Sequence, residues 1–425
     1  MKKHFFNPLV LILFFSFSLL QQSCVKDKCS HKYSVYEYKP VYKPMSDLRQ
    51  VSIQAPKAIT ANGKIFIKNN FIYLNEVNKG FHVIDNSNPA APKKIAFVSV
   101  PGCIDIAAKD NYLLVDNYVD LLTFDISNPA NILLVNRKEN ALPYRQYNYG
   151  FYDDSTKGII VQFDKSELKE AADCEENRNW WVRGGAFFTT TLSTVPSAAP
   201  KNSGGGNGQA GSLSRFALLN NYLYVANRFS LSTINVTDPL QPVVKPAVSA
   251  WGEVETIYPF NNVLLLGSPT GMRIFSVTNP EQPVYAGAVM HWRGCDPVVA
   301  ENNIAYVTVR GGGPCGGDVS QLDVIDISNI TKPVLLKSYS MQNPYGLGVY
   351  NNTLGICDGD AGFKLYNAAQ STNLQLLSTL SSIKAFDVIM NDTIALLIAK
   401  DGMYQYNISN KQSAVLLSKV PVVAP

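Results

Sequence analysis

Histidine is scarce, with four in 425 residues, and none stands in a His-Glu-x-x-His or comparable ligand spacing, so a histidine-built metal centre is not expected. The chain also lacks the Gly-x-Ser-x-Gly elbow of serine hydrolases and the phosphate-binding P-loop, which removes two common routes to catalysis. Charge is sparse and balanced, 37 basic against 33 acidic residues, for a net +4. That balance leaves no electrostatic footprint for nucleic acid. Long hydrophobic runs are missing beyond residue 20, so no later stretch suits a membrane-crossing helix.

The one long apolar run, residues 5–20, follows Lys2 and Lys3 and is short for a span, the pattern of an export signal. It ends in Leu20-Gln21-Gln22-Ser23-Cys24, a small residue before a cysteine, which resembles a bacterial lipoprotein signal. The resemblance implies removal of residues 1–23 and lipidation of Cys24, a membrane contact made through an anchor rather than a span. Lys26, Asp27 and Lys28 beside it are similar to the surface-export tag of Bacteroidetes lipoproteins. The expected location is therefore the cell envelope, on the outer membrane. Residues 24–48, rich in Lys, Tyr and Pro, read as an extended tether without regular structure.

From residue 49 onward the chain repeats itself. An Asn- or Asp-containing turn between two apolar runs recurs with its second residue at 70, 111, 221, 262, 303, 352 and 392, a period near 40 with one long gap. Asn and Asp tolerate positive φ and suit two-residue reversals. A second marker keeps step, in HVIDNSNP ending at Pro89, TFDISNP at Pro129, TINVTDP at Pro239, IFSVTNP at Pro280, DVIDISN at Asn329 and QYNISN at Asn410. Forty residues accommodate four short strands, and a four-stranded sheet buries both faces only when packed against copies of itself. The fold class expected for residues 49–425 is all-β: a β-propeller of seven four-stranded blades with a long insertion, 138–212, between blades two and three. Residues 49–58 are expected to pair with the last blade and close the ring.

The Val-Ile-Asp core in residues 81–89 and 322–329 resembles the LVIVD repeat of bacterial and archaeal cell-surface proteins, and residues 294–317 with 343–367 are similar to LVIVD lipoproteins of the Bacteroidetes. The resemblance implies a propeller displayed at the cell surface and brings no catalytic residues. The signature Asp becomes Asn235, Ser276 and Asn367 in blades three, four and six, which leaves it no role beyond capping a turn. The sialidase Asp box, the WD signature and the tryptophan motif of quinone-dependent propeller dehydrogenases are absent.

The insertion contains a strand-like run at 158–163, a helix start where Asp164 precedes Glu167 by three residues, and a Gly-rich stretch. Leaving blade two's last strand and entering blade three's first, it must emerge on the face carrying the inter-blade connections, either as a lid over the central depression or as a plain surface loop. That face should also carry Glu76, Asp116, Asp120, Arg228, Glu253 and Asp318. The binding residues nominated are Trp251, Glu255, Trp292, Arg293, Asp296, Arg310, Tyr345, Asp358 and Asp360, aromatics near arginines and carboxylates. The acid pairs Asp358 with Asp360 and Asp116 with Asp120 have the oxygen chemistry of a Ca²⁺ site, though tight turns account for them more simply. No other cofactor is expected. Cys295 and Cys315 flank one loop on this face and are the expected disulfide. The function expected is a non-catalytic binding or scaffolding module for an envelope protein or glycan. The alternatives are a polysaccharide-acting enzyme using two carboxylates, and a purely structural envelope component.

Overall fold

The structure, a computed structural model, describes residues 35–147, 151–168, 209–210, 212, 214–291, 294, 297–312 and 317–423. It divides into two compact units, Met1–Lys39 with Phe163–Phe188, and Pro40–Gln162 with Thr189–Pro425. The second holds seven consecutive antiparallel sheets, each built from adjacent strands in chain order. The first blade uses Ile65–Lys68, Phe71–Glu76, Gly80–Asp85 and Lys93–Ser99; the fourth uses Thr256–Phe260, Val263–Ser268, Gly271–Ser276 and Val284–Met290. The seventh ends the ring with Ala385–Met390, Ile394–Ala399, Gly402–Asn407 and Val415–Pro421. Blade three departs from this regularity, because its outer strand breaks at Lys245-Pro246 into Val243–Val244 and Val248–Ser249.

The strands are apolar on both faces because both faces are buried. In blade two, Leu113, Val115 and Leu122 pack against blade one, while Leu114 and Leu121 pack against blade three. Such clusters recur between blades three and four, through four, five and six, between six and seven, and between seven and one. The core is thus a ring of seams rather than one central mass.

The turn chemistry follows the sequence markers. Asn69, Asp110, Asn220, Asn261, Asn302 and Asn351 all adopt φ between 50° and 55°. In blade seven Asn391 caps the turn with its side chain, Oδ1 accepting from the Thr393 and Ile394 amides at 2.9 and 2.7 Å. The second marker is a cap in every blade: Asp85, Asp125, Asn235, Ser276, Asp326, Asn367 and Asn407 each accept from the amide two residues on. Asn and Ser supply the same acceptor as Asp, which is why the signature drifts without loss of the turn.

Three local expectations are corrected. Residues 49–58 do not join the last blade; Ser52–Gln54 pairs with the outer strand of blade one, Ser52 opposite Ser99 and Gln54 opposite Phe97. Blade seven already draws all four strands from residues 385–421, so no strand position is vacant there. The ring closes instead through the apolar seam of Ile65, Ile72 and Leu74 with Ile389, Leu396 and Ile398, a parallel bridge of Ile59 with Val422, and a hydrogen bond from Asn62 Nδ2 to the Ala399 carbonyl at 2.6 Å. Second, Asp164 does not start a helix, because Ile159–Leu168 is one strand. Third, Val35–Lys43 of the expected tether is a strand that pairs with it.

Candidate functional site

One face of the propeller carries the turns between second and third strands and the connections from each outer strand to the next blade. The carboxylates nominated on it are mostly held by the fold. Glu76 ends the second strand of blade one, fully buried, and accepts from the Thr60 and Ala61 amides at 2.5 and 3.3 Å, with His82 Nε2 3.4 Å away. Burial works against its charge, yet His82 and the two amides bring it down to about 2. Asp116 accepts from the Ile104 and Asp105 amides and pairs with Arg145 at 2.9 Å. Burial nevertheless raises it above the ordinary aspartate range. Asp120, equally buried, binds Arg49 Nε at 2.8 Å, Arg137 Nη1 at 2.9 Å and the Asn140 amide at 3.0 Å.

The two acid pairs offered for Ca²⁺ do not converge on a shared point. Asp358 is buried and committed to the Gln342 and Asn343 amides and to Lys364 at 2.6 Å. Asp360 has a 77% exposed side chain and pairs with Lys384 instead. Asp116 and Asp120 take separate arginines, as above.

The insertion reaches this face, as its entry and exit points require. Its first part is ordered over blades one to three: the Leu142 amide donates to the Val119 carbonyl, Arg145 bonds Asn78, Gly102 and Asp116, and Arg228 donates to the Tyr147 carbonyl. Residues 169–208, with the Trp180-Trp181 pair and the Gly-rich run, lie outside the described residues. The described residues of the return segment bond to the inner strands of three blades. Gln209–Ala210 adds antiparallel to the inner strand of blade one, Ser212 Oγ accepts from the Leu347 amide of blade six at 3.2 Å, and Ser214 Oγ donates to Asp105 of blade two at 3.0 Å.

A charged set lies under that segment. Lys64 pairs with Asp105, and burial lowers the Lys64 ammonium. Asp387 is fully buried with neither carboxylate oxygen in a well-formed hydrogen bond, and burial raises it well above the usual range against the pull of the Val388 amide, Lys64 and Ser212. Sequence reading missed Lys64, Asp105 and Asp387. Their signal is positional, each standing near the upper end of an inner strand, where a repeat otherwise apolar admits a charge.

Of the nominated binding residues, Trp251 is 69% exposed, and its ring centroid lies 5.7 Å from that of Tyr285. Arg310 stands over the Tyr345 ring at 4.0 Å, and Tyr345 meets Phe386 edge-on. Glu255 is half-buried at the start of blade four's inner strand. Trp292, Arg293, Asp296, Cys295, Cys315 and Cys24 lie outside the described residues. Among the described residues Cys103 and Cys357 are free thiols, both buried.

The chain carries LVIVD repeats, with residues 62–98, 103–138 and 298–341 matching the model of that family. These are blades one, two and five, the ones that keep the signature Asp. No curated protein matches the chain. Among solved structures, the computationally designed protein Ika8 aligns at 11% identity over 86% of this chain and 90% of its own, with a TM-score of 0.50. A functionally unknown protein from Desulfotomaculum acetoxidans aligns at 10% identity over 85% and 95%, TM-score 0.47. PorZ, a surface component of the type-IX secretion system of Porphyromonas gingivalis, aligns at 11% identity over 86% of this chain and 39% of its own, TM-score 0.46. These likenesses concern fold alone.

Proposed function

From LVIVD repeats wound into a propeller, we propose an envelope lipoprotein, anchored to the outer membrane through Cys24, whose propeller binds or scaffolds a partner without catalysis. One observation carries this reading: the acids best placed for chemistry on the insertion-bearing face are consumed by the fold. Glu76, Asp116, Asp120 and Asp358 each accept two or more bonds from their own chain. A general acid or base needs a carboxyl group that can exchange its proton with a substrate. Among the described residues, the exposed aromatics around Trp251 offer ground for a partner. A partner surface of aromatic and arginine side chains is the composition of protein-binding hot spots.

The test is covalent crosslinking on intact cells, capture of this protein and mass spectrometry of what travels with it. A defined envelope component crosslinked through the upper-face loops is expected. Capture of nothing from the envelope, together with turnover of a polysaccharide by the purified chain, would overturn the proposal. Cys24→Ala is expected to move the protein from the membrane to the soluble fraction, and unchanged fractionation would remove the anchor from the reading.

A further inference from the structure

The propeller supplies its own internal control three residues before the turn-capping side chain of each third strand. His82, Leu122, Ser232, Arg273, Asp323, Lys364 and Tyr404 occupy register-equivalent positions, each opposite an apolar residue of the second strand. Where this residue is basic, the same blade sets an acid beside it: His82 stands 3.4 Å from Glu76, and Lys364 pairs with Asp358 at 2.6 Å.

Arg273 of blade four is the exception. It is 6% exposed, and among the described residues it meets only neutral oxygens: Thr270 Oγ1 at 3.2 Å and the Glu253 carbonyl at 3.5 Å. The position that holds Glu76 in blade one is Ser268 here, and its hydroxyl donates to the Gly271 carbonyl at 2.6 Å. The adjacent acid, Glu253, turns to Arg228 at 2.7 Å. Burial without a counter-charge lowers Arg273 from the usual guanidinium range. A buried cation lacking an anion is costly to the fold, and its partner can come from outside.

The backbone above Arg273 is arranged to expose an aromatic platform. Gly252 has φ +146°, a conformation that favours glycine, and its backbone packs against the Arg273 guanidinium. Trp251 holds φ 58°, a left-handed conformation uncommon for a bulky residue and characteristic of functional loops. Phe229, whose carbonyl accepts from the Ala250 amide, is exposed next to it, as is Tyr285.

We propose that the surface of blade four around Arg273 and Trp251 docks a protein segment that sets an Asp or Glu carboxylate on Arg273 and covers Trp251 and Phe229 with its apolar neighbours. The inference rests on the binding-module reading and names the partner's chemistry. Charge complementarity selects the acid, since Arg273 is the described cation of this strand position left without one. The exposed Phe229 next to Trp251 offers a saccharide's hydroxyls no hydrogen-bond partner and favours a peptide.

The test is selection of a displayed random peptide library on the full chain, followed by binding of an enriched synthetic peptide. Enriched peptides are expected to share an acid flanked by aromatic or aliphatic residues. Trp251→Ala, Arg273→Gln, or Glu→Gln in the peptide should each weaken binding by about ten- to hundredfold, the range for a lost charged hydrogen bond or hot-spot aromatic. Ser268→Asp provides a readout that a merely structural role would not give: an internal acid placed as Glu76 and Asp358 are in their blades should raise the melting temperature and abolish binding together. Peptides unaffected by all three protein variants would overturn this site and leave the binding-module reading standing. So would preferential binding of an oligogalacturonate at Trp251. Failure of both the peptide selection and the intact-cell capture would overturn both.

Discussion

Glu76→Gln isolates the clearest electrostatic element of the fold. The carboxyl sits at about 2 rather than the usual 4.5, and the side chain is 1% exposed, so solvent screens little of the effect. A folded value below the unfolded one means stability that is fully present above the unfolded value and lost as pH falls through the folded one. The depression is worth about 3 kcal/mol at pH 7, about 2 kcal/mol at pH 3.5, and little below pH 2. Glutamine keeps the shape and one acceptor for the Thr60 and Ala61 amides but cannot carry the charge. Urea unfolding of both proteins between pH 7 and pH 3 reads the difference directly. The variant should be less stable at neutral pH, and the gap should narrow as the solution is acidified. A gap that stays constant with pH, or a variant as stable as the parent at pH 7, would refute the account of how Glu76 is held.

Asp120→Ala should lower stability by about 2 kcal/mol, because it removes the buried anion shared by Arg49 and Arg137 while leaving them Glu139 and Asn117, read as a lower urea midpoint at unchanged slope. Ile398→Ala in the seam between blades seven and one should cost about 2–5 kcal/mol as a core cavity. By contrast, Ile53→Pro, on the added strand outside blade one, should cost under about 1 kcal/mol, since that residue is exposed and the ring closes elsewhere. The reverse order of these two effects, measured by thermal melting, would restore closure by residues 49–58.

The blades were legible because each repeats three cues with a physical cause: an apolar run buried on both faces, an Asn or Asp turn at positive φ, and a side-chain cap before the proline. Seven noisy copies average out local ambiguity. The errors fall where the chain is not repeated. Residues 52–54 and 59 have no internal counterpart to show which sheet edge they join, and edge pairing is decided by which backbone groups remain open. Asp164 and Glu167 satisfy the spacing of a helix cap, but Ile159–Leu168 is a strand partnered by Val35–Lys43, and that long-range pairing overrides the local signal.

That Glu76, Asp116 and Asp358 are bonded within the fold was not legible for a related reason. Read one by one, Glu76, Asp116 and Asp358 are polar residues near turns, and nothing local separates an exposed carboxylate from one buried under two amides. Comparison between blades does separate them. Once Glu76 with His82 and Asp358 with Lys364 are seen as the same acid–base pair in two copies, Ser268 beside Arg273 becomes a missing partner rather than an ordinary serine. Blade four keeps a basic residue at this position with no acid opposite it and adjoins the exposed, positive-φ Trp251, and for that reason partner recognition is assigned there.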